Sequence, residues 1–173
     1  MASNNFKSRL VQALRVAVVG RHPKRTAIRV IILIAVSAVV FKFILLPIRV
    51  RGISMEPTYH DGSVNFVNRL AFLRSEPRRG DIVAVRLAGD SIMYLKRIIG
   101  MPGETVAFHE GHAVIDGKIL DELYLKNRCD WDIPPRTIEP GHYYVVGDNR
   151  SQLEQDHVKG LAARNRIIGK PLL

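Results

Sequence analysis

Gly52-Ile53-Ser54-Met55-Glu56-Pro57-Thr58 divides this 173-residue chain into two kinds of sequence. Upstream lies a run, Val30 to Leu46, that is apolar except for Ser37 and Lys42. Downstream, short alternating stretches are separated by Gly, Pro and Asp turns, the pattern of many short strands. A serine between a glycine and a proline is usually a turn residue and nothing more. A chemical role for Ser54 therefore has to rest on what the rest of the chain supplies.

The upstream run fixes the organisation. With Ile28 and the following Pro47-Ile48 it reaches the roughly 20 residues that a spanning helix needs. Lys42 stands near one end, where its stem can snorkel toward lipid headgroups. The charge is partitioned around this run. Residues 1–51 hold ten of the 26 basic residues and no Asp or Glu, leaving 16 basic against all 16 acidic residues in the remainder. The net charge of +10 is thus no nucleic-acid footprint, which would sit on the folded domain; it reads as membrane topology. Seven basic residues precede the span, which predicts a cytoplasmic N-terminus. Arg49 and Arg51 oppose this weakly, since a long domain translocates largely regardless of its charge. The expected division is a basic cytoplasmic segment over 1–27, a transmembrane signal-anchor helix over 28–48, and an extracytoplasmic domain over 49–173. That places the chain in the cytoplasmic (inner) membrane as a single-pass protein in contact with the bilayer. Within 5–19, Phe6, Leu10, Leu14, Ala17 and Val18 fall at helical spacing, which suits either an amphipathic surface helix or a mobile basic tail.

The downstream part predicts a mostly β fold, a small antiparallel barrel or sandwich. Strands are expected at 63–67, 81–87, 91–99, 105–108, 143–146 and near 167–169. Ala113 to Leu120 reads as a hairpin turning at Asp116-Gly117. Residues 121–141 read as a long surface excursion. The single cysteine, Cys129, excludes an intramolecular disulfide and any multi-cysteine metal site.

A serine hydroxyl is a poor nucleophile until a base takes its proton. Histidine is the usual base. His22 lies on the wrong side of the span, and His109-Glu110-Gly111-His112 reads as a turn; its spacing of three, with a helix-breaking glycine, does not make a helical zinc site. No metal and no cofactor are expected. The other solution is a lysine, which works as a base only when burial brings it toward neutrality at the working pH. Lys96 lies in Ile92-Met93-Tyr94-Leu95-Lys96-Arg97-Ile98-Ile99, where alternation puts Ile92, Tyr94, Lys96 and Ile98 on one face. A lysine on an apolar face beside an aromatic ring is desolvated, as a lysine base requires.

Gly52 to Thr58, then Tyr94-Leu95-Lys96-Arg97-Ile98-Ile99-Gly100-Met101-Pro102-Gly103-Glu104, then Val146-Gly147-Asp148-Asn149-Arg150 resemble the successive boxes of bacterial type I signal peptidases, in that family's order and behind a signal anchor. The resemblance covers about residues 28–171. It implies a serine endopeptidase that removes signal peptides from exported preproteins at the outer face of the membrane, with Ser54 as nucleophile and Lys96 as general base. It further implies an oxyanion hole made by the backbone of Ser54 and of Gly52, since the family's position two before the serine here lacks a hydroxyl. Ile53, Met55, Tyr94 and Leu95 are expected to line the substrate cleft, and Arg97, Asp148, Asn149 and Arg150 to brace it. The chain departs from the family after Arg150: Leu153 stands where many relatives carry a serine that bonds the lysine, and His157 where they carry an arginine. An extended preprotein segment would add as a strand between the Ser54 edge and the Ser91–Leu95 edge, with small side chains one and three before the cut. The partners expected are preprotein signal peptides and lipid, without nucleic acid, on a monomeric enzyme. Two rival readings are a self-cleaving Ser–Lys protease of the repressor type and a catalytically silent membrane-anchored binding or assembly protein.

Overall fold

The computed structural model of the chain describes residues 22–88, 92–152 and 160–172. The segment 5–19, Leu153 and His157 lie outside the described residues. Two compact units make up the chain, residues 1–42 and 43–173.

Helix α1 (Pro23–Val39) starts on a proline, which suits a helical first turn because its missing N–H would have no partner there. It continues as a π turn over Val40–Ile44. No residue of α1 is buried, and Ile31, Leu33 and Ile34 are each more than 60% exposed. The 22 residues Pro23–Ile44 are long and apolar enough to cross a membrane. A helix apolar on all sides and uncovered by protein is suited to lipid. The expected helix over 28–48 is corrected at both ends. It begins at Pro23, and residues 45–49 are a strand, β1 (Leu45–Arg49). Pro47 is the physical reason: inside a helix it would remove a hydrogen bond and clash with the preceding turn, whereas an edge strand tolerates it.

The strands of the second unit all pair antiparallel, in agreement with the mostly β fold class read from the sequence. One sheet of seven strands runs in the order β1, β2 (Val64–Asn68), β11 (Ile167–Pro171), β3 (Ile82–Ala88), β4 (Ile92–Gly100), β9 (His142–Val146) and β10 (Leu161–Ala163). A second sheet of four is ordered β7 (Lys118–Ile119), β6 (His112–Ile115), β5 (Thr105–His109) and β8 (Ile133–Thr137). The β6–β7 hairpin turns on Asp116 and Gly117, both at positive φ, the conformation an Asp-Gly turn favours. Strand β8 falls inside the expected surface excursion and corrects it. Its Pro134-Pro135 pair sits on the sheet edge, where lost N–H donors are tolerated. Trp131 and Ile138 flank this strand in the core, with Trp131 edge-on to Phe108 at 5.2 Å between ring centroids.

Two further apolar clusters position the site. Val50, Met55, Tyr59, Val67, Ile82, Ala84 and Leu95 pack together under the loop that carries Ser54. Val83, Val85, Ile98, Tyr143 and Val145 pack on the other face of β3 and β4, with Tyr94 against them. Alternation along β4 therefore holds, with Leu95 on one side and Tyr94 and Ile98 on the other.

Candidate active site

Ser54 lies on the loop between β1 and β2. The loop's neck is closed by two backbone hydrogen bonds, Val50 N–H to Ser63 O at 2.8 Å and Gly62 N–H to Val50 O at 2.9 Å. Met55, 2% exposed, anchors the loop in the core. From the far side Asn149 reaches in twice: its N–H donates to Ser54 O at 3.0 Å, and its Nδ2 to Ile53 O at 3.1 Å. The carbonyls on either side of the Ser54 peptide are thus both held by one residue. Among the described residues no acceptor engages the Ser54 N–H, so it remains available to a ligand.

Lys96 sits in the middle of β4, half-buried, directly across from the buried Val83 of β3. On its other side the register of β9 brings Gly147 level with it. A Cβ added to Gly147 would stand 2.2 Å from Ser54 O and 3.1 Å from Lys96 Nζ. The lysine amine and the Ser54 main chain therefore meet across a gap that only a hydrogen atom fills. Any side chain at 147 would push them apart. The sequence reading quoted Gly147 within a motif but gave it no role; a glycine at the end of a buried strand was the available signal.

Strand pairing leaves one edge open beside this gap. β4 pairs with β3 from Ile92 through Arg97, but with β9 only from Arg97 onward, where Arg97 faces Val146 and Ile98 faces Val145. Among the described residues, Ile92 to Lys96 have no strand on the β9 side. Their backbone groups there can bond an added extended peptide.

A buried polar chain braces the site from beneath. Asp148, whose side chain is fully buried, accepts from Arg97 Nε at 2.8 Å, Arg97 Nη2 at 2.6 Å and Thr58 Oγ1 at 2.5 Å. Arg97 also donates to Gly80 O at 2.8 Å, and its guanidinium lies 4.0 Å over the Tyr124 ring. Tyr124 donates to Glu122, which takes a two-pronged bond from the buried Arg150 at 2.9 and 2.5 Å. Arg150 Nε then returns to Gly147 O at 3.0 Å. Burial disfavours the Arg97 charge, but the Asp148 carboxylate more than offsets it and holds the guanidinium above its ordinary range. Burial also pushes the Tyr59, Tyr94 and Tyr124 phenols up, the last reinforced by Glu122. All three remain neutral phenols at physiological pH.

The positions expected from the sequence divide as follows. Ser54, Lys96, Arg97, Asp148, Asn149 and Arg150 converge. Ile53 is 49% exposed and Tyr94 half-buried, as cleft residues can be. Met55 and Leu95 are corrected: at 2% and 7% exposure they are core residues that hold the loop to the sheet. Gly52 is also corrected as an open donor. Its φ of +88° turns the N–H to Asp61 Oδ1, 2.7 Å away. Glu122, Tyr124 and Asp61 were missed. Glu122 and Tyr124 sit in a segment read as surface excursion, and nothing local marks an acid that pairs 28 residues away.

The chain is similar to proteins of one family. Residues 24–172 match the family model for signal peptidase, peptidase S26. A signal peptidase I of Bacillus amyloliquefaciens is 36% identical over 151 residues, 81% of this chain and 78% of that one. Signal peptidase I T of Bacillus subtilis (strain 168) matches at the same identity and coverage. A crystal structure of a signal peptidase I from Enterococcus faecalis V583 aligns with a TM-score of 0.48 at 27% identity, covering 56% of this chain and 97% of that one. With a family match over residues 24–172 and relatives 36% identical over most of their length, the protein belongs to the signal peptidase family, peptidase S26, and is a serine endopeptidase.

Proposed function

We propose that the chain removes signal peptides from exported preproteins with Ser54 as nucleophile and Lys96 as general base. The observation that carries this is the close approach of Lys96 Nζ and the Ser54 main chain to the same point beside Gly147. Neutral Lys96 takes the Ser54 hydroxyl proton as Oγ attacks the scissile carbonyl. The tetrahedral oxyanion is met by the Ser54 N–H. Collapse expels the amine of the mature chain, which receives its proton from Lys96. Water, activated by the regenerated neutral Lys96 amine, then hydrolyses the acyl-enzyme and frees Ser54. The substrate lies along the open edge of Ile92–Leu95, and shallow pockets select small residues one and three before the cut by size. Pro23–Ile44 anchors the enzyme in the cytoplasmic membrane with its N-terminus inside and the β unit outside. This orientation brings the cleft to where signal peptides emerge.

The test is cleavage of an exported preprotein by the full chain in lipid vesicles, with the new N-terminus read by mass spectrometry. The expected result is one cut after a small residue, lost when a bulky residue replaces it. Cleavage confined to the enzyme's own chain would support the self-cleaving reading, and no cleavage at all would support the silent binding protein.

A further inference from the structure

The substrate strand proposed above can follow β4 only as far as Lys96. From Arg97 onward that edge is taken by β9, with Arg97 opposite Val146. Residues after the cut must therefore leave the sheet over the turn Gly147-Asp148-Asn149. Beyond that turn is a cleft of about 220 Å³, large enough for one side chain, bounded by Glu56, Pro57, His60, Lys126, Asn127 and Asn149. Two of its walls are tied directly to the nucleophile. Glu56 follows Ser54 by two residues and its N–H bonds Ile53 O at 3.1 Å, while Asn149 holds Ser54 O. The wall is mixed, with Pro57 beside the Glu56 carboxylate on one segment and the exposed Lys126 ammonium on another. This contrasts with the small-residue selection expected before the cut.

We propose that this cleft is the subsite for the first residues of the mature protein, taking a polar or charged side chain at the first or second position after the cut. Glu56 favours a basic side chain there and Lys126 an acidic one, so the two together set the charge preference. The proposal rests on the signal-peptide-cleaving reading. Its test uses the full chain in detergent micelles and synthetic preprotein peptides identical up to the cut, carrying Lys or Asp at the first and second positions beyond it. The quantity read is the ratio of kcat/KM for the acidic peptide over the basic one, within each variant. Glu56→Lys is expected to raise that ratio about three- to fivefold and Lys126→Glu to lower it by a similar factor, the scale of one partly exposed charge pair. Peptides whose Lys or Asp is placed six residues before the cut should show no such shift. Unchanged ratios in both variants, or equal shifts at the distant position, would overturn the subsite while leaving the cleavage reading intact. If the parent enzyme cuts none of the peptides, the cleavage reading itself fails and the subsite with it.

Discussion

The two groups of the proposed dyad are held by different kinds of structure. Lys96 sits in the middle of a strand, between Val83 and Gly147, and its place follows from sheet register. Ser54 sits on a loop with no register of its own. Its position depends on individual contacts: the Asn149 N–H onto the Ser54 carbonyl and its Nδ2 onto the Ile53 carbonyl, and within the loop Asp61 onto the Gly52 N–H and Met55 in the core. The difference teaches that the base is set by the fold, whereas the nucleophile is set by a few individual contacts. Damage to the first should therefore appear in stability and activity together, and damage to the second mainly in turnover.

The strand-held lysine and the loop-held serine meet at Gly147. Gly147→Val places a side chain against Ser54 O and Lys96 Nζ. Preprotein cleavage should fall by at least about a hundredfold, because displacing a reacting group by an ångström already has that effect. Gly147→Ala should fall by nearly as much, and peptide kinetics of both variants check it. A variant retaining most of its activity would mean that the two groups need no close approach.

Next in size is the brace under the strands. Asp148→Ala leaves Arg97 buried without its anion, and Glu122→Ala does the same to Arg150. Each should lower unfolding free energy by about 3–5 kcal/mol, the usual effect of breaking one side of a buried pair. Denaturant titration of the variants reads this. A loss under about 1 kcal/mol would show that the pairs contribute little to the fold.

The smallest effects belong to the loop. Asn149→Ala removes the Nδ2 bond to Ile53 but keeps the backbone bond to Ser54. We expect a fall in kcat of about tenfold with KM nearly unchanged and a stability loss of about 1 kcal/mol, the worth of one hydrogen bond. Asp61→Ala should act in the same sense but more weakly, with Asp61→Asn recovering most of the loss because its amide oxygen still accepts from Gly52. Equal losses in kcat and stability would place Asn149 with the structural brace instead.

The same division explains what could be read in the sequence. The strand carrying Lys96 was legible because alternation and apolar flanks are local signals, and the hairpin at Asp116-Gly117 was legible for the same reason. The helix end was not, because an apolar residue such as Leu45 suits a spanning helix and an edge strand equally; only Pro47 hinted at the change. Glu122 and Tyr124 were illegible because their roles depend on Arg150 and Arg97, which the fold alone brings to them. Met55 and Leu95 were misplaced because an apolar residue beside a nucleophile can line a cleft or fill the core beneath it. Gly52 was read as an open donor because nothing in the motif predicts that Asp61, nine residues on, takes its N–H.

The most direct measurement on the dyad is the cleavage rate of one synthetic preprotein by the parent, Ser54→Ala and Lys96→Ala chains, each first shown by circular dichroism to keep the parent's β spectrum. Both variants should lose at least about a thousandfold, since partners acting as one unit fail together when either is removed. Cleavage at the parent's rate by either folded variant would contradict the dyad.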